Sequence, residues 1–449
     1  MCRRHGTGHR AYSRPAILKE RRRSDKPETS RRSVKSRSHW CERFPAQTSG
    51  SLPLRQAAPS RRLCVALLAA ALASAAAACS TNLPDLGTNS RQPEPQASSA
   101  IGTGQVKVAL VLPLSANGNA GLAAQSMKNA AEMALSEFNS PNIQLLVKDD
   151  AGTVQGAQQA AQQALDEGAE LILGPLFAHS VSPAGLLARG RGVPVIAFST
   201  DANVASRGIF LLSFLPESDV DRIVSYAVQQ GKHSFAALVP ENAYGSVVQA
   251  AFQQTVARRG ARVIAVERYA QDPPAMQEAI RRVAQAAPQA DAIFIPDGSD
   301  SVAVVEGLAA AGVNTRRVQL LGTGLWDDPQ IFSNSGLQGA WFAAPETSGY
   351  RNFATRYRTR FGRDPVRTAT LAYDAVSLVA ALVKTQGPQR FSDQVLTNTS
   401  GFSGIDGVFR FRADGTNERG LAVLRVSPSG GQVISPPLKA FAGSNTSGE

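Results

Sequence analysis

Hydroxyl, imidazole, carboxylate and aromatic side chains follow several short apolar runs of this sequence, and these residue types can bind a small molecule. In the first half of the chain they are Ser115, His179, Ser180, Ser199 and Thr200. The three loops that carry them precede predicted helices, whose first-turn N–H groups attract an anion such as a carboxylate. Each hydroxyl alone could equally be a helix cap or a turn residue. Their shared position after strands favours a binding site.

The second half of the chain places different residue types after its apolar runs, namely Tyr244, Asp297 and Trp326. Aromatic faces and carboxylates together suit stacking on a ligand and holding a cationic group. Asp297-Gly298 is also a common turn pair, and Trp326 could simply fill the core. Both interpretations therefore stay open for these side chains.

Sequence signatures of catalysis are not found in this chain. There is no Gly-x-Ser-x-Gly nucleophile motif, no Walker A loop and no His-Glu-x-x-His. The four cysteines end at Cys79, and His179 and His233 are the only histidines that follow it. A cysteine-ligated metal site is thereby excluded from the long carboxyl-terminal part. We expect no catalytic residue, no metal, no cofactor and no enzyme activity.

The basic charge of the chain is confined to one end. The formal net charge is +12, but residues 1–63 hold 17 of the 47 basic residues and 4 of the 35 acidic ones. The remainder has 30 basic and 31 acidic residues, so the predicted folded part carries no charge suited to a nucleic acid.

The amino-terminal region has the pattern of an export signal. Arg61-Arg62 precede an apolar run of 16 residues that ends at Cys79, too short for a permanent membrane span. Three alanines before Cys79 resemble a bacterial lipobox, which would make Cys79 a lipidated first residue; a plain cleaved signal is the alternative. We predict a disordered basic extension at 1–60, with translation starting near Leu52 or Leu54, a lipoprotein signal peptide at 61–79 and a flexible tether at 80–104.

From Val106 onward, short β-branched runs alternate with alanine-rich helical segments, which predicts an α/β fold with parallel sheets covered on both faces. Two such series predict two doubly wound lobes within 105–440. We place lobe 1 at about 105–225 and 346–390, and lobe 2 at about 226–345 and 391–440. A hairpin is predicted from Gly407–Arg412 and Leu421–Val426. Ligands of such sheets bind at the carboxyl ends of the strands, so we expect a cleft between the lobes.

Several strings of residues resemble the leucine/isoleucine/valine-type periplasmic binding proteins over nearly all of 105–430. They are Val-Ala-Leu-Val-Leu-Pro-Leu-Ser115, Gly174-Pro175-Leu176, Pro194-Val-Ile-Ala-Phe-Ser199, Pro240-Glu-Asn-Ala-Tyr-Gly245, Ala372-Tyr-Asp-Ala375 and Gly407-Val-Phe-Arg-Phe-Arg-Ala-Asp-Gly415. The resemblance implies two Rossmann-like lobes with three crossovers that close over a small ligand. It also implies a periplasmic location, with Ser80 hinting at an outer-membrane anchor.

The resemblance includes two functional branches, amino-acid receptors of ABC importers and lipoprotein activators of penicillin-binding proteins. Where the receptors have a carboxylate-binding serine and an ammonium-binding glutamate, this sequence has Ala178 and Gly324. Tyr244 matches a ligand-stacking tyrosine of the family. The Leu112-Pro113-Leu114-Ser115 and Gly174-Pro175-Leu176 strings, and the tether after Cys79, are more similar to the activator branch. We therefore expect an activator acting on a penicillin-binding protein, with an amino-acid-like or peptide-like ligand in the cleft; the alternative is a receptor that docks on an ABC permease.

Overall fold

The computed structural model describes residues 99–138 and 141–441, and the predictions for residues 1–98 lie outside this range. The chain begins there with a wound sheet whose strand order is β1-β3-β2-β4-β5-β6. Its pairs are parallel except for β1 with β3. In chain order the elements are β1 (Ser99–Ile101), β2 (Val106–Leu112), α1 (Gly118–Glu137), β3 (Ile143–Asp149), α2 (Val154–Asp166), β4 (Leu171–Leu173), α3 (Ala178–Gly190), β5 (Val195–Ala197) and β6 (Ile209–Leu211).

The chain then crosses into a second lobe built on the same plan. Its elements are α4 (Pro216–Gln229), β7 (Ser234–Pro240), α5 (Ala243–Arg258), β8 (Arg262–Tyr269), α6 (Pro273–Ala286), β9 (Ala292–Phe294), α7 (Asp300–Ala310), β10 (Gln319–Gly322), α8 (Pro329–Ser333) and β11 (Trp341–Ala344). The strands from β7 to β11 pair in parallel. This arrangement confirms the predicted α/β class.

Two further crossings complete the lobes. The chain returns to the first lobe with α9 (Thr347–Phe361), α10 (Ala369–Thr385), α11 (Asp393–Leu396), β12 (Phe402–Gly404), β13 (Gly407–Phe411) and β14 (Asn417–Arg419). It ends in the second lobe with β15 (Ala422–Ser427) and β16 (Gly430–Ser435), which extend the sheet to the order β16-β15-β11-β10-β9-β7-β8. The lobes are thus joined by three chain crossings, as the sequence resemblance implied.

Both sheets are buried on both faces because successive residues of the central strands point into different cores. Val108 and Leu110 of β2 pack in one cluster, while Ala109 and Val111 pack in another. The same alternation along β7 separates two clusters in the second lobe. This is the physical basis of the continuous apolar runs from which the fold was predicted.

The structure differs from the sequence prediction at two of the three lobe boundaries. Helix α4 belongs to the second lobe, because Val220 and Ile223 pack with Phe252 of α5. Residues 391–411 belong to the first lobe, because Phe409 and Phe411 pack with its core. Which lobe a helix or strand joins depends on such long-range apolar contacts, and the local sequence pattern does not reveal it.

Two smaller predictions are also corrected. Strand β13 forms its hairpin with β14, whereas β15 leaves to pair with β11 in the other lobe. The predicted tether at 80–104 contains strand β1, which pairs antiparallel with β3 and so is not flexible along its whole length. Short edge strands of three residues carry little pattern of their own, and pairing with a neighbour defines them.

Candidate functional site

The carboxyl ends of β2, β3, β4 and β5 lie along one edge of the first sheet, because these strands are parallel and paired in register. Ser115 is exposed in the loop after β2, and its N–H donates to Asp149 Oδ1 at 3.3 Å. Asp149 also accepts from Ala151 N–H at 2.8 Å. The structure therefore places Ser115 at the expected edge, tied to the end of the neighbouring strand.

His179 and Ser180 begin helix α3 beside the loop that follows β3. The exposed His179 ring lies with Nε2 2.9 Å from the Gly152 carbonyl oxygen and stacks on Phe177. Ser180 is fully buried, as is Asp150. Burial raises the pKa of Asp150, although hydrogen bonds from the Gly152 backbone and the Ser180 side chain act in the opposite direction. This corner of the lobe thus holds a buried carboxyl and a buried hydroxyl beside an exposed imidazole.

A close backbone approach positions this corner. A Cβ on Gly174 would overlap the Val111 carbonyl oxygen, and its φ of +92° lies in the region that favours glycine. Glycine at this position allows the loop after β4 to lie directly against β2. The glycine of the Gly174-Pro175-Leu176 string is therefore explained by this close packing, without a role in ligand binding.

Ser199 and Thr200 follow β5 and take different positions. Ser199 is buried, and its Oγ accepts from Asp201 N–H at 3.1 Å, so it forms the local turn. Thr200 is exposed. Asp201 in turn caps the short 3₁₀ helix through Asn203 N–H at 3.0 Å. Thr200 is therefore the accessible residue of this pair. Ser199 is a turn residue, which was the alternative role that the sequence allowed.

The second lobe brings Tyr244 and Asp297 to the ends of its own parallel strands. The Tyr244 hydroxyl lies 3.0 Å from Thr323 Oγ1, and burial raises the pKa of this phenol. Asp297 accepts from Tyr269 Oη at 2.8 Å, and burial raises the pKa of its carboxyl. Tyr244 is partly exposed, so an aromatic face remains available there.

Trp326 was a candidate ligand contact, but the structure places it inside the core of the second lobe. Its side chain has no exposed surface, and its Nε1 donates to the Asp297 carbonyl oxygen and to Ser301 Oγ, both at 2.9 Å. The indole N–H, which is the only polar group of the side chain, thus has its hydrogen-bond partners inside the lobe. Trp326 therefore fills the core, which is the second of the two interpretations that the sequence allowed.

Asp219 is the functional candidate that sequence reasoning missed. It lies in the first turn of α4, directly after the first crossing, and its Oδ2 accepts from Gly324 N–H at 2.9 Å. Burial raises its pKa to about 7, although the Gly324 hydrogen bond and the Arg419 and Arg367 guanidinium groups act in the opposite direction. An acid in a first helical turn looks like an ordinary capping residue, so the sequence carried no signal for it.

Asp219 lies beside Gly324, the position at which the resembled receptors have an ammonium-binding glutamate. A Cβ on Gly324 would lie 3.1 Å from Asp219 Oδ2. A carboxylate from α4 therefore stands where a side chain at position 324 would begin.

Two arginines from the first lobe reach the same region. Arg367 pairs with Asp406 through bonds of 2.6 and 3.0 Å, and its guanidinium carbon lies 4.6 Å from the centroid of the Phe214 ring. Arg419 lies 4.9 Å from the same ring, and its Nε donates to the Ser213 carbonyl oxygen. Both guanidinium groups thus lie against the first crossing between the lobes.

The loops at the strand ends of the two lobes carry groups that suit the binding of a small molecule. Hydroxyls and helix N-termini line one lobe, an aromatic ring and carboxylates line the other, and charged residues lie at the crossings. In the described part of the chain, no group of three or more histidine, cysteine or acidic side chains is placed to hold a metal ion. Nor does any helix in that part combine the length and apolar character needed to cross a membrane.

Such a pair of wound lobes with three crossings defines the two-lobed class of solute-binding proteins. The family model described as "Periplasmic binding protein" matches residues 105–432. The chain belongs to this periplasmic binding protein family.

Solved structures of similar fold are described as ABC transporter components. A putative branched-chain amino acid ABC transporter from Rhodospirillum rubrum is 20% identical, with a TM-score of 0.66, over 73% of this chain and 99% of that one. A solute-binding protein from Rhodopseudomonas palustris BisB5, in complex with 3,4-dihydroxybenzoic acid, is 20% identical with a TM-score of 0.56, over 75% and 97%. A leucine-binding protein from Thermotoga maritima MSB8 is 18% identical with a TM-score of 0.53, over 74% and 98%.

These identities establish the shared fold. A curated relative, an uncharacterised protein of Rickettsia prowazekii (strain Madrid E), is 21% identical over 179 residues, which are 40% of this chain and 47% of that protein. The chain thus matches about half the length of this relative. The descriptions of the similar solved structures name transport receptors, as in the receptor alternative, and do not name activators of penicillin-binding proteins.

Proposed function

We propose that this chain is a non-catalytic periplasmic receptor that binds a small solute between its lobes and delivers it to an ABC permease. The observation that carries the proposal is the contact of Asp219, at the first crossing, with Gly324 in the second lobe. Because this carboxylate lies near Arg367 and Arg419 of the first lobe, a ligand that meets it contacts both halves. A ligand with more contacts in the closed state shifts the lobes toward closure.

The site chemistry favours an amino-acid-like ligand. Asp219 and Asp297 offer carboxylates for an ammonium group, and the Tyr244 ring offers a face for stacking. The opposite edge offers the exposed Ser115 and Thr200 beside helix N-termini, which suit a carboxylate. Similar proteins are described with leucine or an aromatic acid as ligand, and both molecules carry a carboxylate.

A titration series tests the proposal. Differential scanning fluorimetry and isothermal titration of the full chain would use the twenty L-amino acids, benzoate and 3,4-dihydroxybenzoate. We expect at least one of them to raise the melting temperature, since a ligand at 100 times its Kd stabilises the native state by about 2.7 kcal/mol.

Two variants then locate the bound ligand. Tyr244→Ala and Asp219→Asn should each weaken binding about tenfold or more, since each removes a stacking or charge-assisted contact. Asp393→Asn, a remote exposed acid paired with Arg207, is the matched control and should bind as the parent does. If none of these solutes binds while a penicillin-binding protein co-purifies with the chain, the receptor proposal fails and the activator hypothesis gains support.

Membrane attachment through Cys79 is a separate part of the proposal, and residues 61–79 lie outside the described range. Metabolic labelling with tritiated palmitate should mark the chain, and Cys79→Ser should abolish the label. A labelled Cys79→Ser variant, or an unlabelled parent chain that is exported and cleaved, would support the alternative of a plain signal peptide.

A further inference from the structure

Beyond β16, the described chain runs back to the first lobe. Residues 436–441 form this last segment, and we call it the C-terminal strap. Residues 438–440 are exposed, whereas Phe441 is only 2% exposed. The strap therefore lies on the surface and buries its final side chain.

The Phe441 ring is buried against residues of the first lobe. The guanidinium carbon of Arg410, in β13, lies 4.4 Å from the ring centroid, and a Cβ on Gly401 would lie 2.8 Å from ring atom Cδ2. Arg410 is itself held in place, because it donates to Glu418 at 2.8 and 2.9 Å and to the Thr399 carbonyl oxygen at 3.1 Å. A fixed cation over one side of the ring and a glycine against the other suit an aromatic side chain.

The other end of the strap is held in the second lobe by Arg222 of α4. This arginine donates to Ser435 Oγ at 2.6 Å and to the Pro436 carbonyl oxygen at 3.3 Å. It also donates to the Leu421 carbonyl oxygen at 2.8 Å, between β14 and β15, where the chain makes its third crossing. One side chain thus fixes the start of the strap beside a crossing.

The strap has little slack between these two ends. Six residues span at most about 20 Å when fully extended, and Pro436 and Pro437 fix two of the φ angles. The middle of the strap also lies directly against the third crossing, since a Cβ on Gly420 would be 2.7 Å from the Leu438 carbonyl oxygen. A short, stiff segment that is held at both ends limits how far its ends can separate.

We propose that the C-terminal strap is a further link between the lobes and that Phe441 is its positioning residue. While the ring stays in its site, the strap restrains the hinge that the three crossings form; removal of the ring widens the range of distances between the lobes. In a receptor that closes on a solute, this restraint limits the open state and so affects the affinity for the solute. That consequence rests on the proposed function, whereas the restraint itself does not.

Pulsed electron paramagnetic resonance of the ligand-free protein tests the restraint. Spin labels at Gln159→Cys of α2 and Gln285→Cys of α6, two exposed positions, report the distance between the lobes in a full chain whose four native cysteines are replaced by serine. We expect Phe441→Ala to broaden the distribution of this distance about twofold while the circular dichroism spectrum stays that of the parent.

Leu438→Ala is the matched control, because this side chain belongs to the same strap but is 56% exposed. It should keep the distance distribution of the parent. A chain that ends at Lys439 is the second variant should Phe441→Ala not fold, and it should broaden the distribution alike.

An unchanged distribution in the variant that lacks the ring, or equal broadening in Leu438→Ala, would overturn the proposal. Because no solute is added, the result does not depend on the receptor function. Broadening in a chain that binds none of the tested solutes would support the strap and count against the receptor proposal alone.

Discussion

Arg367 and Asp406 form an ion pair in which the carboxylate is fully buried and the arginine side chain is 35% exposed. The Asp406 carboxylate is inaccessible to solvent, and it accepts two bonds from Arg367 and one of 2.6 Å from Thr370. Arg367 also lies 4.6 Å from the Phe214 ring and 4.7 Å from the Tyr350 ring. A paired charge of this kind stabilises chiefly by avoiding the cost of an unpaired one.

Removing Arg367 should therefore be costly. We expect Arg367→Met to lower the free energy of unfolding by about 3 kcal/mol, because it leaves the Asp406 carboxylate buried and without its main partner. Urea unfolding followed by circular dichroism would measure the loss. Arg207→Met, which breaks an exposed pair with Asp393, should cost less than about 1 kcal/mol. Equal losses in the two variants would contradict this account.

Asp374 makes stability depend on pH. Its Oδ1 accepts from Ile405 N–H at 2.8 Å, and burial, followed by the charge of Asp406, raises its pKa from 3.8 to about 7. The folded state therefore holds this proton more tightly than the unfolded state does. The stabilisation is complete below about pH 4 and is lost as the pH rises toward 7.

Asp374→Asn should remove this dependence, because the amide does not titrate. Between pH 5 and 7 the parent chain should lose stability more steeply than the variant, by at most about 1.4 kcal/mol per pH unit. Thermal unfolding at a series of pH values would compare the two slopes. Parallel curves for parent and variant would show that Asp374 is ionised throughout this range.

At the scale of elements, the loop after β10 is organised by one tryptophan. Trp326 lies against Gly322 at the end of that strand, and it bonds to the loop after β9 through the Asp297 carbonyl oxygen. The same turn presents Gly324 to Asp219 of α4. The indole thus supports the loop that we assign to the cleft without lining the cleft itself.

Gly322→Ala should disturb this loop, because the added Cβ would overlap the Trp326 ring. We expect a loss of about 1–3 kcal/mol in unfolding free energy and a change in tryptophan fluorescence. Gly298→Ala is the matched control, since its nearest neighbour, Leu325 Cβ, lies at an ordinary 3.8 Å. Should both variants unfold like the parent, the loop must be able to move away from β10.

At the scale of the whole molecule, neither lobe is a continuous piece of chain. The core of the first lobe includes Leu371 and Val379 of α10 and Phe409 of β13, which come after the second lobe in sequence. The sheet of the second lobe is completed by β15 and β16 at the end of the described chain. Each lobe therefore needs residues that are far away in sequence, which couples their folding.

A fragment of residues 99–345 should consequently fail to fold cooperatively, although it holds most strands of both sheets. It lacks α10, whose apolar side chains cover α1 and β2, and so exposes a core face. Thermal melting should show no sharp transition, and the dye ANS should bind. The fragment 99–441 should melt cooperatively. A cooperative transition in the shorter fragment would show that its lobes are self-sufficient.

How far the sequence predicted the site follows from what each residue contacts. Tyr244, Ser115 and Thr200 were found because they directly follow strands, and parallel strands end at one edge. Asp219, Arg367 and Arg419 were missed because their partners lie 39 to 206 positions away, the longest separation being that of Arg419 from the Ser213 carbonyl oxygen. The ligand roles of the first group remain predictions, while Trp326 belongs to the core.

The sequence by itself determined the alternation of strands and helices, the parallel sheets and the family, because apolar periodicity and strand-end loops are local properties of the chain. Only the tertiary structure decided which lobe contains α4 and residues 391–411, which carboxylate contacts Gly324, and that Trp326 lies in the core. Those outcomes depend on apolar packing and hydrogen bonds between distant segments, and such contacts leave no periodic trace in the sequence.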